Sequence, residues 1–92
     1  AVMVSPKDPE IYYNYGVSLG EMGDSEGAVT AYSKAIELAP ANAVYRYNRG
    51  FRYEKLNKLN EAIADYSKSM ELSPEFVRPI VNRAVCYRKL KQ

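Results

Sequence analysis

Three asparagines recur at an interval of 34 residues: Asn14, Asn48 and Asn82. A carboxamide carries hydrogen-bond donors and an acceptor, so it can pair with the N–H and C=O groups of a peptide backbone. On an α-helix, the residue three positions further on shares the face of each asparagine. That residue is Val17 after the first asparagine and Phe51 after the second. This pattern indicates the binding of an extended chain rather than the catalysis of a reaction.

The sequence lacks the residues for histidine-based catalysis and for metal sites built from histidine and cysteine. It has no histidine and a single cysteine, Cys86, which excludes histidine acid–base catalysis, His/Cys metal sites and an intrachain disulfide. Cys86 has no neighbouring base in the sequence, so we expect an inert thiol. We expect no enzymatic activity, no cofactor and no metal. One unpaired cysteine also fits a reducing, cytoplasmic or otherwise intracellular setting.

The charge balance argues against nucleic acid or an anionic membrane as the main partner, because the net charge is only +2. Nor is any apolar run long enough for a membrane span. The charge is nevertheless uneven along the chain. Residues 1–42 hold two basic and six acidic side chains, a net of −4, whereas residues 43–92 hold eleven and five, a net of +6. From the charge we therefore expect no nucleic acid as the partner and no membrane insertion.

The interval of 34 residues extends through most of the chain. The segment AVTAYSKAIELAP (28–40) aligns with AIADYSKSMELSP (62–74), and Pro6, Pro40 and Pro74 keep the same spacing. Each period contains two patterns with helical spacing of apolar residues. Asp8 before Pro9 is a helix start, whereas Gly23 is typical of a helix end. Together these signals predict five helices, near residues 9–22, 25–38, 43–56, 59–72 and 76–91.

Small residues mark the places where paired helices must approach closely. Gly16 and Gly50 recur in the first helix of each period, opposite Ala28 and Ala62 in the second. Two large residues, Tyr32 and Tyr66, recur beside them. Asn57 replaces the turn glycine of the first period, and asparagine tolerates the left-handed conformation better than most residues.

The period, the helix–turn–helix unit and the Gly…Tyr…Ala…Tyr…Ala…Pro pattern resemble the tetratricopeptide repeat. The resemblance implies an all-α fold, a right-handed α-solenoid of antiparallel helix hairpins. It has five main helices and a partial N-terminal helix tail. The expected divisions are 1–8 for the end of a preceding repeat, 9–42 and 43–76 for two repeats, and 77–92 for the first helix of another. We expect a segment of a longer array.

In this family, a concave groove lined by the first helix of each repeat holds the ligand. Mapped onto this sequence, the resemblance assigns peptide binding to the following residues: Asn14, Asn48, Asn82, Tyr13, Tyr47, Val17, Phe51, Lys55, Arg78 and Lys89. Neighbouring first helices lie about 9–10 Å apart, and an extended chain advances about 3.3 Å per residue. One asparagine would therefore meet the peptide backbone at about every third residue.

Each part of this assignment has a structural alternative. The asparagines are also ordinary solvated residues of a helix, and Tyr13, Tyr47, Val17 and Phe51 are also suited to packing against a neighbouring repeat. The charged residues, with Glu10 and Glu21 at one end and Arg78, Arg88 and Lys89 at the other, are also typical of a solvated face.

The leading function is a protein–protein interaction scaffold that binds an extended peptide or protein segment in the groove. One alternative is self-association through uncapped solenoid ends, including a homodimer of the fragment; another is the substrate-recruiting arm of a larger enzyme. Chaperone tails with acidic ends would need a Lys and an Asn one turn apart on the first helix, where this chain has Tyr13 and Val17. RNA binding is disfavoured by the period and the weak net charge.

Overall fold

A computed structural model describes residues 7–91 and contains, within that range, five α-helices and no strand. The helices are α1 (Pro9–Glu21), α2 (Ser25–Leu38), α3 (Ala43–Lys55), α4 (Leu59–Leu72) and α5 (Arg78–Leu90). The all-α prediction is confirmed. Most of the predicted tail, residues 1–6, lies outside the described residues, and the division into repeats stays a prediction.

The first three helices begin at short polar side chains, which satisfy free backbone N–H groups of the first turn, whereas α4 and α5 have no side-chain cap. Asp8 accepts from the N–H of Glu10 at 3.0 Å, and Asp24 accepts from the N–H of Gly27 at 2.8 Å. Asn42 accepts from two N–H groups at the start of α3. The turns inside the hairpins need a left-handed residue, and Gly23 (φ +88°) and Asn57 (φ +62°) supply it.

The start of α5 differs from the predicted one. Helix α5 begins at Arg78 rather than at residue 76. The N–H of Phe76 bonds instead to the carbonyl of Ser73, and the Phe76 ring packs edge-on against Tyr47 with centroids 5.3 Å apart. Phe76 therefore closes a turn ahead of the helix and also contacts the preceding repeat.

The helices pack in sequential order, as the solenoid interpretation requires. Helices α1 and α2 form one antiparallel hairpin and α3 and α4 a second; α2 packs on α3 and α4 packs on α5. Helix α3 also contacts α5, so the first helices of successive hairpins are neighbours. The resulting stack measures 45 × 27 × 16 Å. No hairpin buries its apolar flank alone, which is the reason that the units stack.

In each hairpin, a tyrosine ring of the second helix packs against a glycine of the first helix. The ring occupies the space that a side chain at the glycine position would need. A Cβ added at Gly16 would lie 2.6 Å from Cε1 of Tyr32, and one at Gly50 would lie 2.9 Å from Cε1 of Tyr66. Both distances are too short for a real contact. The two rings are buried, as are Ala28 and Ala62. The expected close approach is therefore present in both hairpins, with the ring as its direct partner.

A partly buried ion pair joins the two helices of the second hairpin, and its arginine also contacts the first hairpin; sequence analysis missed it. Arg49 of α3 binds Asp65 of α4 through two hydrogen bonds of 2.7 Å, and its third donor reaches Ser33 of α2 at 3.0 Å. The Asp65 side chain is only 4% exposed. Hydrogen bonding to Asp65 raises the pKa of Arg49, so the guanidinium stays charged. Arg83 repeats part of the contact by donating to Ser67 at 3.1 Å.

Replacing the fully buried Ala62 with leucine should reduce the free energy of unfolding by about 1–3 kcal/mol, because the packed hairpin has no room for the added carbons. Urea unfolding followed by circular dichroism measures this change. Ala64→Leu is the matched control, because Ala64 lies exposed on the same helix and should be nearly neutral. Equal effects of the two changes would contradict the close-approach account.

Asp65→Ala should lower the free energy of unfolding by about 3 kcal/mol, because it leaves Arg49 partly buried without its carboxylate. The double variant Arg49→Met with Asp65→Leu should recover more than half of that loss, since it removes both charges and keeps apolar volume. Denaturant melts of the two variants test the expectation. A double variant less stable than Asp65→Ala would mean that the ion pair itself is strongly stabilising.

Candidate functional site

The three first helices form one continuous layer. Tyr13 of α1 stacks on Tyr45 of α3 with ring centroids 4.9 Å apart, and Lys89 of α5 lies 3.4 Å from a carboxylate oxygen of Glu54 in α3. We call the surface of α1, α3 and α5 that carries the predicted peptide-binding residues the first-helix face. Each helix contributes to it an asparagine and the apolar residue three positions further on: Asn14 and Val17, Asn48 and Phe51, and Asn82 and Val85.

The three asparagines are equivalent in sequence but not in structure. Asn14 is exposed and makes no side-chain hydrogen bond within residues 7–91. Asn48 is half-buried, and its Nδ2 donates to the carbonyl oxygen of Val44 at 2.9 Å. Asn82 is also half-buried, and its Nδ2 donates to the hydroxyl of Tyr66 at 3.3 Å. The amide nitrogens of the three side chains therefore differ in whether and where they donate a hydrogen bond. The repeated sequence alone did not indicate this difference.

The predicted tyrosines pack within the protein and also reach the surface. The Tyr13 ring lies 5.7 Å from that of Tyr32, and the Tyr47 ring lies 5.7 Å from that of Tyr66. Both Tyr13 and Tyr47 are half-buried. Both rings therefore pack against the second helix of their own hairpin, as the structural alternative expects. Part of each ring nevertheless remains accessible.

Phe51 is the aromatic residue of the first-helix face with cations on its ring. The Arg52 guanidinium lies 5.0 Å from the ring centroid, and the Lys55 ammonium lies 5.1 Å from it. Cations in this range are attracted by the ring quadrupole. A half-buried aromatic ring with a cationic rim is suited to a partner group that combines an apolar body with negative charge.

The charges of this face are partly neutralised within the chain. Lys89 is paired with Glu54, whose side chain is only 13% exposed. Lys55 and Arg78 are exposed and make no salt bridge among residues 7–91. Glu10 and Glu21 are exposed on α1. The first-helix face is therefore acidic at the α1 side. Among its predicted cations, Lys89 has a carboxylate partner but is still half exposed, whereas Lys55 and Arg78 have no salt bridge in this range.

A hydrogen-bond relay joins α3, α4 and α5 beneath this face, and sequence analysis missed it. The Tyr66 hydroxyl donates to Glu54 Oε1 at 2.7 Å, while Glu54 Oε2 accepts from Lys89. The same hydroxyl accepts from Asn82. Burial, with the Glu54 hydrogen bond as the next cause, raises the pKa of Tyr66 far above its usual value. The first hairpin lacks the relay because Gly20 stands where the second has Glu54.

A cavity of about 480 Å³ lies between α1 and α2, away from all of the predicted peptide-binding residues. It is lined by Tyr12, Tyr15, Leu19, Asp24, Gly27, Thr30, Ala31 and Lys34. Arg49, which is equivalent to Tyr15 in the next repeat, contacts α2 of the preceding hairpin. The cavity therefore corresponds to the stacking surface between repeats, and we do not assign it to a ligand.

Metal-ligand clusters and membrane-spanning helices are two further features to consider. Among the described residues, no cluster of histidine, cysteine, aspartate or glutamate could hold a metal ion. Within the same part of the chain, none of the helices has both the length and the apolar character needed to cross a membrane.

Antiparallel helix hairpins stacked in sequence define a helical-repeat protein of the solenoid type. The sequence matches the family models described as TPR repeat over residues 19–57 and as tetratricopeptide repeat over residues 43–76. The chain belongs to the tetratricopeptide repeat family. Members of this family are typically protein-interaction modules rather than enzymes. No curated protein matches the sequence.

Solved structures of this family superpose closely on the chain. The TPR2B domain of yeast Sti1, in a complex with pHsp70, is 34% identical with a TM-score of 0.88, covering 95% of this chain and 69% of that one. The second TPR of Spaghetti, bound to the HSP90 peptide SRMEEVD, is 23% identical with a TM-score of 0.89, covering 94% and 80%. MamA is 24% identical with a TM-score of 0.93 and 95% coverage of this chain, which spans about half (51%) of the MamA chain.

The thiol of Cys86 should be unreactive in the folded protein, because the side chain is fully buried and burial raises its pKa to about 11. At pH 8 the thiol is protonated, and only the thiolate attacks a disulfide reagent. Reaction with a chromogenic disulfide at pH 8 should be about a hundredfold slower than in unfolding urea. Raising the pH towards 11 should speed the native reaction. Equal rates in folded and unfolded protein at pH 8 would refute the assignment of an inert thiol.

Proposed function

We propose that this chain is a protein-interaction scaffold that binds an extended peptide or protein segment across the first-helix face, in the concave groove expected for its family. The observation that carries this proposal is the layer of three first helices. Each helix presents an asparagine at the same position and an apolar residue three positions further on. The asparagines supply hydrogen bonds to a peptide backbone, and Val17, Phe51 and Val85 supply apolar contact area for its side chains.

The relatives support this proposal at the level of ligand class. The Sti1 domain, at 34% identity, has been solved in a complex with pHsp70, and a longer Sti1 structure at the same identity in a complex with pHSP90. Both ligands belong to the class of protein or peptide partners. The ligand that this chain binds depends on its own side chains on the first-helix face. These differ from the lysine and asparagine that hold an acidic-ended tail in some members of the family, an arrangement called the two-carboxylate clamp.

An acidic-ended chaperone tail fits this chain poorly. The clamp needs a lysine and an asparagine on the first helix, and α1 carries Tyr13 and Val17 at those places. Lys89, a cation on the third first helix, is paired with Glu54. We therefore propose a ligand held mainly by its backbone and by apolar side chains, oriented with any acidic part towards Lys55 and Arg78 and any basic part towards Glu10 and Glu21.

Self-association is a second candidate, favoured by exposed apolar side chains on α5 and beside it. Val81 is 63% exposed, Val77 61%, Tyr87 49% and Leu90 46%. Apolar groups of this size, gathered on one helix, are candidates for an interface with another helix. Size-exclusion chromatography with light scattering separates the possibilities: a concentration-dependent dimer supports association, whereas a monomer at high concentration rejects it. A role as the recruiting arm of a larger enzyme would use the same peptide-binding face.

Peptides selected from a phage-displayed library of random 12-residue sequences should bind the wild-type chain, and Asn48→Ala and Phe51→Ala should each weaken binding by about tenfold. Fluorescence polarisation with labelled synthetic copies of the selected peptides measures the change. Glu61→Ala is the matched control, because Glu61 is exposed on α4, outside the first-helix face.

The peptide SRMEEVD serves as the acidic-ended probe in the same assay. Weak binding is expected for SRMEEVD, and tight, salt-sensitive binding would instead favour the chaperone-tail alternative. Unchanged affinities in both first-helix variants, for every selected peptide, would reject the proposed binding face.

A further inference from the structure

We propose that Asn48 and Asn82 present only their carbonyl oxygens to a bound peptide, so that the groove requires free backbone N–H groups at two ligand positions and rejects proline there. This inference rests on the proposed function and specifies its ligand chemically. The ligand class is an extended peptide with two unsubstituted amides three residues apart, and substituted amides are tolerated at the two residues between them.

The orientation of the Asn48 carboxamide follows from its partner. The backbone carbonyl of Val44 can only accept a hydrogen bond, so the Asn48 atom 2.9 Å from it must be the amide nitrogen. The Oδ1 atom is then directed elsewhere. Among the described residues, the only buried side-chain nitrogen or oxygen without a partner is Nε of Arg46. Oδ1 of Asn48, which accepts no hydrogen bond there, is therefore not fully buried and can still accept a hydrogen bond.

The orientation of Asn82 is fixed by the relay behind it. Lys89 can only donate, and it holds Oε2 of the Glu54 carboxylate. The carboxylate can only accept, so the Tyr66 hydroxyl gives its single proton to Oε1 at 2.7 Å. That hydroxyl has only its lone pairs left for Asn82, and the atom 3.3 Å from it must be Nδ2. By the same reasoning about buried atoms, Oδ1 of Asn82 is not fully buried and can still accept a hydrogen bond.

The first repeat lacks this constraint. Asn14 makes no side-chain hydrogen bond within residues 7–91, so its carboxamide can offer either a donor or an acceptor. The Tyr32 hydroxyl, which is equivalent to that of Tyr66, has no hydrogen-bond partner in the same range. Of the three recurring asparagines, one is therefore oriented by the relay, one is oriented by its own helix, and Asn14 has no such constraint among the described residues. Tyr32 provides a matched control for Tyr66.

The spacing sets the backbone conformation of the ligand. The axes of packed helices lie about 8–10 Å apart, so we expect equivalent residues on α3 and α5 to be separated by about the same distance. Three residues of a polyproline II chain span roughly 9 Å and complete one turn, so the N–H groups of residues three apart point to the same side. In a β-strand, residues three apart point to opposite sides. Two acceptors at this spacing therefore fit a polyproline II-like peptide in which the two intervening residues face away.

The test uses the tightest synthetic 12-residue peptide from the library selection, with each residue in turn replaced by its N-methyl analogue. We expect two positions, three residues apart, at which N-methylation weakens binding to the wild-type chain by about tenfold or more, because an acceptor loses its donor. Methylation at the two intervening positions should change affinity by no more than about twofold. A proline scan of the same peptide should give the same pattern.

Two variants test the relay. Tyr66→Phe removes the acceptor for Asn82, and Glu54→Gln lets an amide donate to Tyr66 so that its hydroxyl can turn its proton towards Asn82. In either variant the N-methyl penalty should fall at one of the two positions and remain at the other. Tyr32→Phe should keep both penalties. Thermal unfolding shows which variants are folded, and the more conservative Glu54→Gln serves if Tyr66→Phe is not.

The outcomes separate this inference from the proposed function. If peptides bind through the first-helix face but tolerate N-methylation everywhere, the inference is wrong and the function stands. If both penalties persist in Tyr66→Phe and Glu54→Gln, the relay does not orient Asn82. If no library peptide binds, or Asn48→Ala and Phe51→Ala have no effect, the proposed function and this inference are rejected together.

Discussion

The contact between a glycine of the first helix and a tyrosine ring of the second is the constraint on which the rest of this structure depends. At Gly16 and at Gly50 the ring lies where a Cβ would be, so the helices of each hairpin can approach only because that side chain is missing. The approach buries Ala28 and Ala62 completely. It also fixes the direction of each tyrosine hydroxyl, and in the second hairpin that hydroxyl reaches Glu54. Packing between the helices of the second hairpin thereby determines a hydrogen bond that lies beneath the first-helix face.

The two hairpins have the same geometry but are held together by different interactions. Around Arg49 the stacking surface is polar, since the guanidinium contacts both Asp65 and Ser33. The equivalent surface of the first hairpin carries Tyr15, which is 60% exposed, and Ala31. A repeat therefore conserves the positions of its helices while the interactions between neighbours vary. This is consistent with a solenoid whose stability is a sum of unit and interface contributions.

The first-helix face combines fixed and adaptable groups. Tyr13 and Tyr47 are held by the rings behind them, and a side chain that is already ordered loses little entropy when a ligand binds. Asn48 and Asn82 are oriented by hydrogen bonds to Val44 and Tyr66. Lys55 and Arg78 remain exposed on flexible side chains. Fixed groups favour selection by backbone geometry, whereas mobile charges mainly affect the rate of encounter and the orientation of the ligand.

The sequence by itself determined the five helices, the cap at the first of them, the stacking order and the positions of the asparagines, because these depend on local backbone preferences and on a repeated apolar spacing. Asn57, for example, adopts the left-handed turn that its residue type indicates. Only the tertiary structure decided that Arg49 meets Asp65, that Phe76 stays in a turn against Tyr47, and that Lys89 pairs with Glu54. These contacts join residues far apart in the chain, and their formation depends on distances of a few tenths of an ångström between packed helices. The difference between Asn14, Asn48 and Asn82 arises in the same way, since equal residues at equal spacing acquire different hydrogen bonds from unequal neighbours.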